Sequence, residues 1–229
     1  MPGINVLRKS SLFASLPDSE LEEVAACLVT RAFGRGVFIF HKDSPGQTLY
    51  IIESGRVRIF ILSESGQEIS LNVYGAGEVI GELGFLDGQP RSASAVTLEP
   101  TVTLALRRED FFQRLEDHPR LAMRLLEVMA ARLRYTTAYA EGLAFLDVNG
   151  RVAMRLLELG DRFGVQSPRG GGLELDLGLT QAELASWVAS SRETVNKVLS
   201  TFRDQGLIEL VGQRITILDR LGLWRKICY

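Results

Sequence analysis

The 229-residue chain is 46% apolar and 24% charged, ordinary values for a globular protein of one large or two smaller domains. Its net charge of −2 excludes a chain that is basic throughout but leaves room for a local basic patch. Two widely separated cysteines, Cys27 and Cys228, offer neither metal spacing nor a disulfide framework. With no signal-peptide core and no apolar run of about 18 residues, the chain reads as soluble and cytoplasmic, with no membrane partner.

Residues 4–29 are predicted helical, broken at Leu16-Pro17-Asp18, with Asp18 or Ser19 capping a helix over 20–27. Over 33–107 the period changes. "VFIFHKD", "TLYIIES", "RVRIFILS", "EISLNVY" and "TVTLALRR" are short runs of β-branched and aromatic residues separated by glycines, and "SESGQE" reads as a hairpin turn. Short strands at this spacing predict a sandwich or roll rather than βαβ units. "EDFFQRLEDHP" is then a short helix stopped near Pro119.

A long helical segment follows, in which Ala122, Leu126, Met129, Leu133, Thr136, Ala140 and Leu143 alternate steps of four and three. That is a coiled-coil seam by spacing, although a helix packed on its own domain gives the same pattern. Its length favours a partner helix, and Ala122, Thr136 and Ala140 stand where a device for stability alone would place leucine or isoleucine.

The rest of the chain gives two helical patterns, "NGRVAMRLLELGDRF" and "TQAELASWVASSRETVNKVLSTFRDQG", separated by the glycine-rich "SPRGGG". It ends in a β-hairpin, "LIELVGQRITILD". Thr180 with Glu183 forms a capping box. Leu184 and Val188 give the first short helix its buried face, and a tight turn at Ala189-Ser190 leads to a second helix capped by Ser190 or Ser191. There Val195, Val198, Leu199 and Phe202 form the buried stripe, leaving Arg192, Glu193, Asn196, Lys197 and Arg203 outside. This is the helix-turn-helix plan. Arg192 suits guanine O6 and N7, Glu193 suits cytosine N4, and Thr180 and Ser191 suit phosphates. A solvated helix face would look similar. Yet from Ser191 onward seven arginines and lysines oppose four carboxylates, so positive charge gathers where DNA would lie.

"GELGFLDGQPRSASA" places Glu82 and the pair Arg91-Ser92 in a run otherwise made for burial. Buried charges must be paired or hydrogen-bonded. Either Glu82 and Arg91 neutralise each other, or they line a cavity. In the second case Arg91 and Ser92 suit a phosphate, Glu82 suits a sugar hydroxyl, and Gly81 and Gly84 admit close backbone approach. That set describes a nucleotide with one phosphate group. No G-x-x-x-x-G-K-[ST] occurs, which disfavours a nucleoside triphosphate.

Three stretches in one order, "VIGELGFLDGQPRSASA", "LAFLDVNGRV" and "SSRETVNKVL", closely resemble the phosphate-binding cassette, hinge and recognition helix of the Crp/Fnr bacterial regulators, nearest the cyclic-AMP receptor branch. The likeness covers nearly the whole chain. It implies an α+β architecture: an N-terminal double-stranded β-roll (jelly roll) over 1–116, a dimerisation helix and hinge over 117–147, and a C-terminal winged helix-turn-helix over 148–229. By the same resemblance Glu82 holds the ribose hydroxyl of cAMP, and Arg91 and Ser92 hold the cyclic phosphate. Gly81 and Leu83 lend backbone contacts, while Thr136 and Thr137 meet the purine from two subunits. Arg192, Glu193 and Lys197 align with the base-reading trio for a TGTGA-like half-site in promoter DNA, and a loop over 166–172 is where relatives touch RNA polymerase.

The cassette is one residue shorter between Glu82 and Arg91 than in the best-known member. Ala189 replaces a common glycine, and Lys197 replaces an arginine, losing the bidentate option. Two distant cysteines cannot supply an iron–sulfur cluster, and His41 and His118 suit surface or packing positions better than haem ligation. No metal is implied. cGMP is separated from cAMP only weakly, since two threonines can serve either purine. The other readings are a DNA-binding regulator that needs no ligand or senses another effector, and an enzyme of nucleotide turnover, for which no catalytic constellation is present.

Overall fold

The computed structural model describes residues 3–167, 170–176, 178 and 180–227, and divides into two units, Met1–Ile61 with Leu71–Arg134 and Leu62–Ser70 with Tyr135–Tyr229. Helices α1 (Ile4–Lys9) and α2 (Asp18–Ala26) precede strands β1 (Val29–Phe33), β2 (Phe38–Phe40), β3 (Thr48–Ser54), β4 (Val57–Leu62), β5 (Glu68–Tyr74) and β6 (Val79–Ile80). Helix α3 (Glu82–Asp87), β7 (Ser94–Thr97), β8 (Thr101–Arg107), α4 (Arg108–Asp117) and α5 (Pro119–Phe145) follow. Two four-stranded sheets form, ordered β1-β8-β3-β6 and β2-β7-β4-β5.

Strand alternation explains the layering. Along β3, Leu49 and Ile51 face a core shared with Leu7, Phe85 and Phe111 from the helices and Phe13 from the turn between α1 and α2. Tyr50 and Ile52 face the opposite way, into a core with Val57, Ile80, Ala95 and Ala105 drawn from both sheets. This is the expected β-roll. The "SESGQE" turn also forms, with Ser63 N–H on the Gln67 carbonyl at 2.8 Å and Gly66 at φ 82°.

Two expectations are corrected. Helix α2 begins at Asp18 itself with Pro17 as its cap residue, no side chain capping it, and ends at Ala26. Strands β1, β6 and β7 and helix α3 were not anticipated, because "VTRAF", "VI", "SAVT" and "ELGFLD" are short and carry weak β or helical periodicity, and the fold rather than propensity decides them.

Helix α5 opens with Pro119, the first-turn position where proline's missing N–H costs nothing. Its 27 residues span about 40 Å at 1.5 Å per residue. Along the predicted seam Leu126 and Leu133 remain 62% and 69% exposed, so this chain leaves that stripe uncovered.

The C-terminal unit continues with α6 (Val148–Phe163), β9 (Val165–Gln166), β10 (Leu173–Leu175), α7 (Gln181–Trp187), α8 (Arg192–Asp204), β11 (Ile208–Val211), β12 (Arg214–Ile217) and α9 (Arg220–Trp224). The expected two-stranded wing is part of a four-stranded sheet, β11-β12-β10-β9. The glycine run explains the added pair: Gly170 and Gly171 sit at φ 78° and 85°, reversing the chain so that β10 lies against both β9 and β12. Val195, Val198, Leu199 and Phe202 are buried as their spacing predicted, with Leu184, Trp187 and Val188 beside them in the core. Pro168 and Arg169 of the 166–172 loop, and Cys228, lie outside the described residues. Among the described residues no helix is long and apolar enough to cross a membrane.

Candidate functional site

Two left-handed glycines, Gly81 at φ 79° and Gly88 at φ 75°, bracket the six-residue helix α3 and make the cassette a tight loop–helix–loop. Glu82 and Arg91 are 4% and 3% exposed, so both charges are buried. They do not neutralise each other. Glu82 takes Arg132 of α5 as its partner, with Arg132 Nη1 donating to Oε1 at 2.6 Å. Arg132 also donates to the Val79 carbonyl and lies 4.7 Å over the Tyr74 ring. Burial raises the Tyr74 phenol, opposed by that guanidinium.

Arg91 donates to the backbone carbonyls of Gly81 and Thr48 and lies 4.3 Å over Phe40 and 6.0 Å from Tyr50. Among the described residues its Nε has no partner. Burial pulls its pKa below the ordinary guanidinium value, while Tyr50 and Glu82 act through space in the other direction. Among the described residues no carboxylate contacts Arg91.

The glycines serve packing more than ligand approach. A Cβ on Gly81 would collide with Arg91 Nη1 and reach Phe40 at 3.2 Å, and one on Gly84 would stand 2.5 Å from the Gln89 carbonyl oxygen. Leu83 on α3 is 49% exposed and Ser92 is exposed, so the cassette presents both outward beside the buried pair. Thr136 and Thr137 are exposed on the part of α5 that belongs to the C-terminal unit. Sequence reasoning missed Arg132. Its partner lies 50 residues away, so no local pattern links the two.

The helix-turn-helix forms as read. Thr180 Oγ1 accepts from Glu183 N–H at 3.2 Å, while Glu183 Oε2 accepts from Thr180 N–H at 2.7 Å and from its hydroxyl at 2.9 Å. Both polar groups of Thr180 are thus engaged by its own capping box. Ser191, not Ser190, caps α8, accepting from Thr194 N–H at 3.1 Å. Arg192, Glu193 and Lys197 are exposed, and none of their side chains is hydrogen-bonded or ion-paired among the described residues. Asp147 caps α6, accepting from Gly150 N–H at 2.8 Å, and that bond leads the causes that hold its carboxyl below the usual range. Among the described residues no group of three histidines, cysteines or carboxylates could hold a metal ion.

Known proteins match both halves. A cyclic nucleotide-binding domain family covers residues 30–118, and a Crp-like helix-turn-helix family covers 150–226. A CRP-like cAMP-activated global transcriptional regulator of Mycobacterium tuberculosis is 38% identical over 96% of this chain and 98% of its own. A cyclic AMP receptor protein of Thermus thermophilus is 35% identical over 89% and 90%. Among solved structures, a regulator of Xanthomonas campestris described as c-di-GMP-responsive has a TM-score of 0.78 at 27% identity, covering 88% of this chain and 99% of its own. The catabolite activator protein of Thermus thermophilus has 0.55 at 33%, covering 95% and 98%. Buried cassette charges, an exposed polar face on α8 and these matches along nearly all of its length lead to one conclusion: the chain belongs to the Crp family of cyclic-nucleotide-binding transcription regulators.

Proposed function

We propose that this protein is a cAMP-responsive dimeric transcription factor that binds palindromic TGTGA-like promoter DNA and acts through RNA polymerase. The observation that carries the reading is Arg91: a buried cation held by carbonyls and ring faces, with one N–H unpartnered and no contacting carboxylate among the described residues. Such a group is completed by an anion small enough to enter a closed cassette.

In this reading Arg91 and Ser92 take the cyclic phosphate, Glu82 accepts from the ribose hydroxyl, and the backbone at Gly81 and Leu83 lines the sugar. Thr136 and Thr137 meet the purine, one from each protomer of a homodimer paired along α5, whose uncovered seam supports that pairing. Arg192, Glu193 and Lys197 read base edges, Ser191 faces a phosphate, and Thr180 does so where its bonds to Glu183 give way. The loop over 166–172 would meet RNA polymerase. The ligand shifts a two-state equilibrium only through contacts that differ between the states, and the threonines supply that difference. Dimeric helix-turn-helix proteins place their reading helices about 34 Å apart, one turn of DNA. No chemical step enters this mechanism.

The test is fluorescence anisotropy of a labelled TGTGA palindrome at fixed salt, titrated with protein alone and with cAMP, cGMP or c-di-GMP. Tightening with cAMP, and its loss in Arg91→Ala, is the expected result. Wild-type nucleotide affinity in Arg91→Ala refutes the assignment. The second reading, a ligand-independent or differently tuned regulator, draws on the c-di-GMP-responsive relative. It predicts tight binding without nucleotide or a response to c-di-GMP alone.

A further inference from the structure

Arg155, on α6 of the C-terminal unit, is 2% exposed. Its guanidinium lies 4.4 Å over the ring of Tyr139, 5.6 Å from that of Tyr135 and 5.9 Å from that of Trp187. Nη1 donates to the Tyr135 hydroxyl at 2.8 Å and to the Glu158 carboxylate, while Nε and Nη2 are without hydrogen-bond partners among the described residues. Packing strength does not explain an arginine here. An apolar side chain of similar volume fills such a place without the cost of desolvating a charge, and often more stably. What arginine supplies is a planar cation that stacks on ring faces in one arrangement.

The positions of the three rings give that arrangement a use. Tyr135 and Tyr139 are four residues apart, on one face of α5, and the stretch between them contains Thr136 and Thr137. Trp187 is the last residue of α7, immediately before the turn into α8. The neighbourhood is tied at further points. Arg151 donates to the Leu146 carbonyl at 2.7 Å and to the Val188 carbonyl at 2.8 Å. Ser70, which with the rest of residues 62–70 belongs to this unit, meets Ser186 hydroxyl to hydroxyl at 2.7 Å. One continuous stack therefore runs from the threonine-bearing turn of α5, through Arg155, to the end of the helix that precedes the recognition helix.

We propose that Arg155 is a positioning residue that couples the Thr136–Thr137 turn of α5 to Trp187, so that nucleotide-driven movement of that turn reorients α8. The proposal rests on the nucleotide reading above. It concerns coupling between two sites, which is measured as a ratio of affinities and is the same in either direction.

The experiment measures DNA affinity of the full-length dimer with and without cAMP for wild type, Arg155→Met and Tyr139→Phe. Cooperative melting of each variant is recorded alongside, and the same anisotropy format is used throughout. The expected result is a ratio of affinities that falls at least about fivefold in Arg155→Met, with Tyr139→Phe, which keeps the ring face but loses the hydroxyl that donates to the Ser70 and Trp187 carbonyls at 3.5 Å, intermediate. The effect of DNA on cAMP affinity falls by the same factor. An arginine serving stability alone would weaken DNA binding equally in both ligand states, so an unchanged ratio overturns the proposal. A readout that needs no change at Arg155 comes from Trp187 emission in a Trp224→Phe background, where only two tryptophans exist to begin with. cAMP should shift that emission, and a silent Trp187 in a cAMP-responsive protein overturns the proposal as well. If the wild-type ratio is itself one, the nucleotide reading fails and takes this inference with it. A normal wild-type ratio preserved in Arg155→Met refutes the coupling role alone.

Discussion

The turn that joins α7 to α8 holds the most quantifiable strain in the chain. It closes as a Schellman motif, with Ser190 N–H on the Ala185 carbonyl at 3.1 Å and Ala189 N–H on the Ser186 carbonyl at 3.4 Å. The motif requires a left-handed residue at Ala189, which sits at φ 48°. An L-residue there pays about 1–2 kcal/mol relative to right-handed backbone, and glycine pays none. Glycine in turn gives the unfolded chain more freedom, which offsets about 0.4–1 kcal/mol. Ala189→Gly is therefore expected to stabilise the C-terminal unit by about 0.5–1 kcal/mol. For a unit of just over 100 residues that corresponds to a rise in Tm of roughly 2–5 °C. Two units make a single two-state melt unsafe. Native-state hydrogen exchange on α7 and α8 amides, with calorimetry of the full chain, reads the right quantity. The backbone already occupies the glycine geometry, so DNA affinity should stay within about twofold. Slower exchange confirms the strain, and unchanged or faster exchange refutes it.

Gly81→Ala places a Cβ against Arg91 Nη1 at φ 79°, and should weaken cAMP binding at least about tenfold by calorimetric titration while leaving the melting of the C-terminal unit unchanged. Arg132→Met strands the buried Glu82 carboxylate, and a several-fold loss of cAMP affinity partly recovered in the Glu82→Gln, Arg132→Met pair is expected from a double-mutant cycle. Asp147→Ala removes the α6 cap and should cost about 1 kcal/mol in denaturant melts. Because that carboxyl is held below its ordinary value, its contribution is complete above the unfolded pKa, about 4, and is lost as pH falls through the lower folded value. Asp147→Asn should flatten that part of the acid limb. Lys197→Arg restores a bidentate donor and should sharpen discrimination at one base pair by about 1–3 kcal/mol, read by anisotropy on single-substitution duplexes.

What could be read in the sequence was what is periodic or local. The stripe of Val195, Val198, Leu199 and Phe202 follows from helical spacing, and the Thr180–Glu183 box follows from a three-residue step; both are realised atom for atom. The strands with β-branched runs were legible, whereas β7, made of serine, alanine, valine and threonine, was not, because its four buried positions are set by the strands on either side. At the cassette the pattern identified Glu82 and Arg91 but offered them to each other or to a ligand, since a one-dimensional pattern cannot say who a buried charge touches. Arg132 and Arg155 were invisible for the same reason: each is one arginine among many on an amphipathic helix, and only tertiary packing takes it out of water.

Arginine cannot shed its proton, so every buried guanidinium must be answered by carboxylates, carbonyls or ring faces. Arg108 is answered by the carbonyls of Phe85 and Leu86 and by the Phe112 ring. Arg132 is neutralised by Glu82, and Arg155 by Glu158. Arg91, like Arg108, is surrounded by carbonyls and rings, and among the described residues no carboxylate touches it; unlike Arg108 it is fully buried, and Glu82 reaches it only through space while bound to another cation. The cassette, residues 81–95, thus carries one cation, Arg91, with no contacting counter-charge among the described residues, and in the proposed reading it takes one phosphate. A ligand with two phosphates would need a second, and Arg132 of α5, which reaches Glu82 of the cassette, is already held by that carboxylate. The charge count therefore argues for a cyclic mononucleotide over c-di-GMP, even though a structural relative responds to the latter.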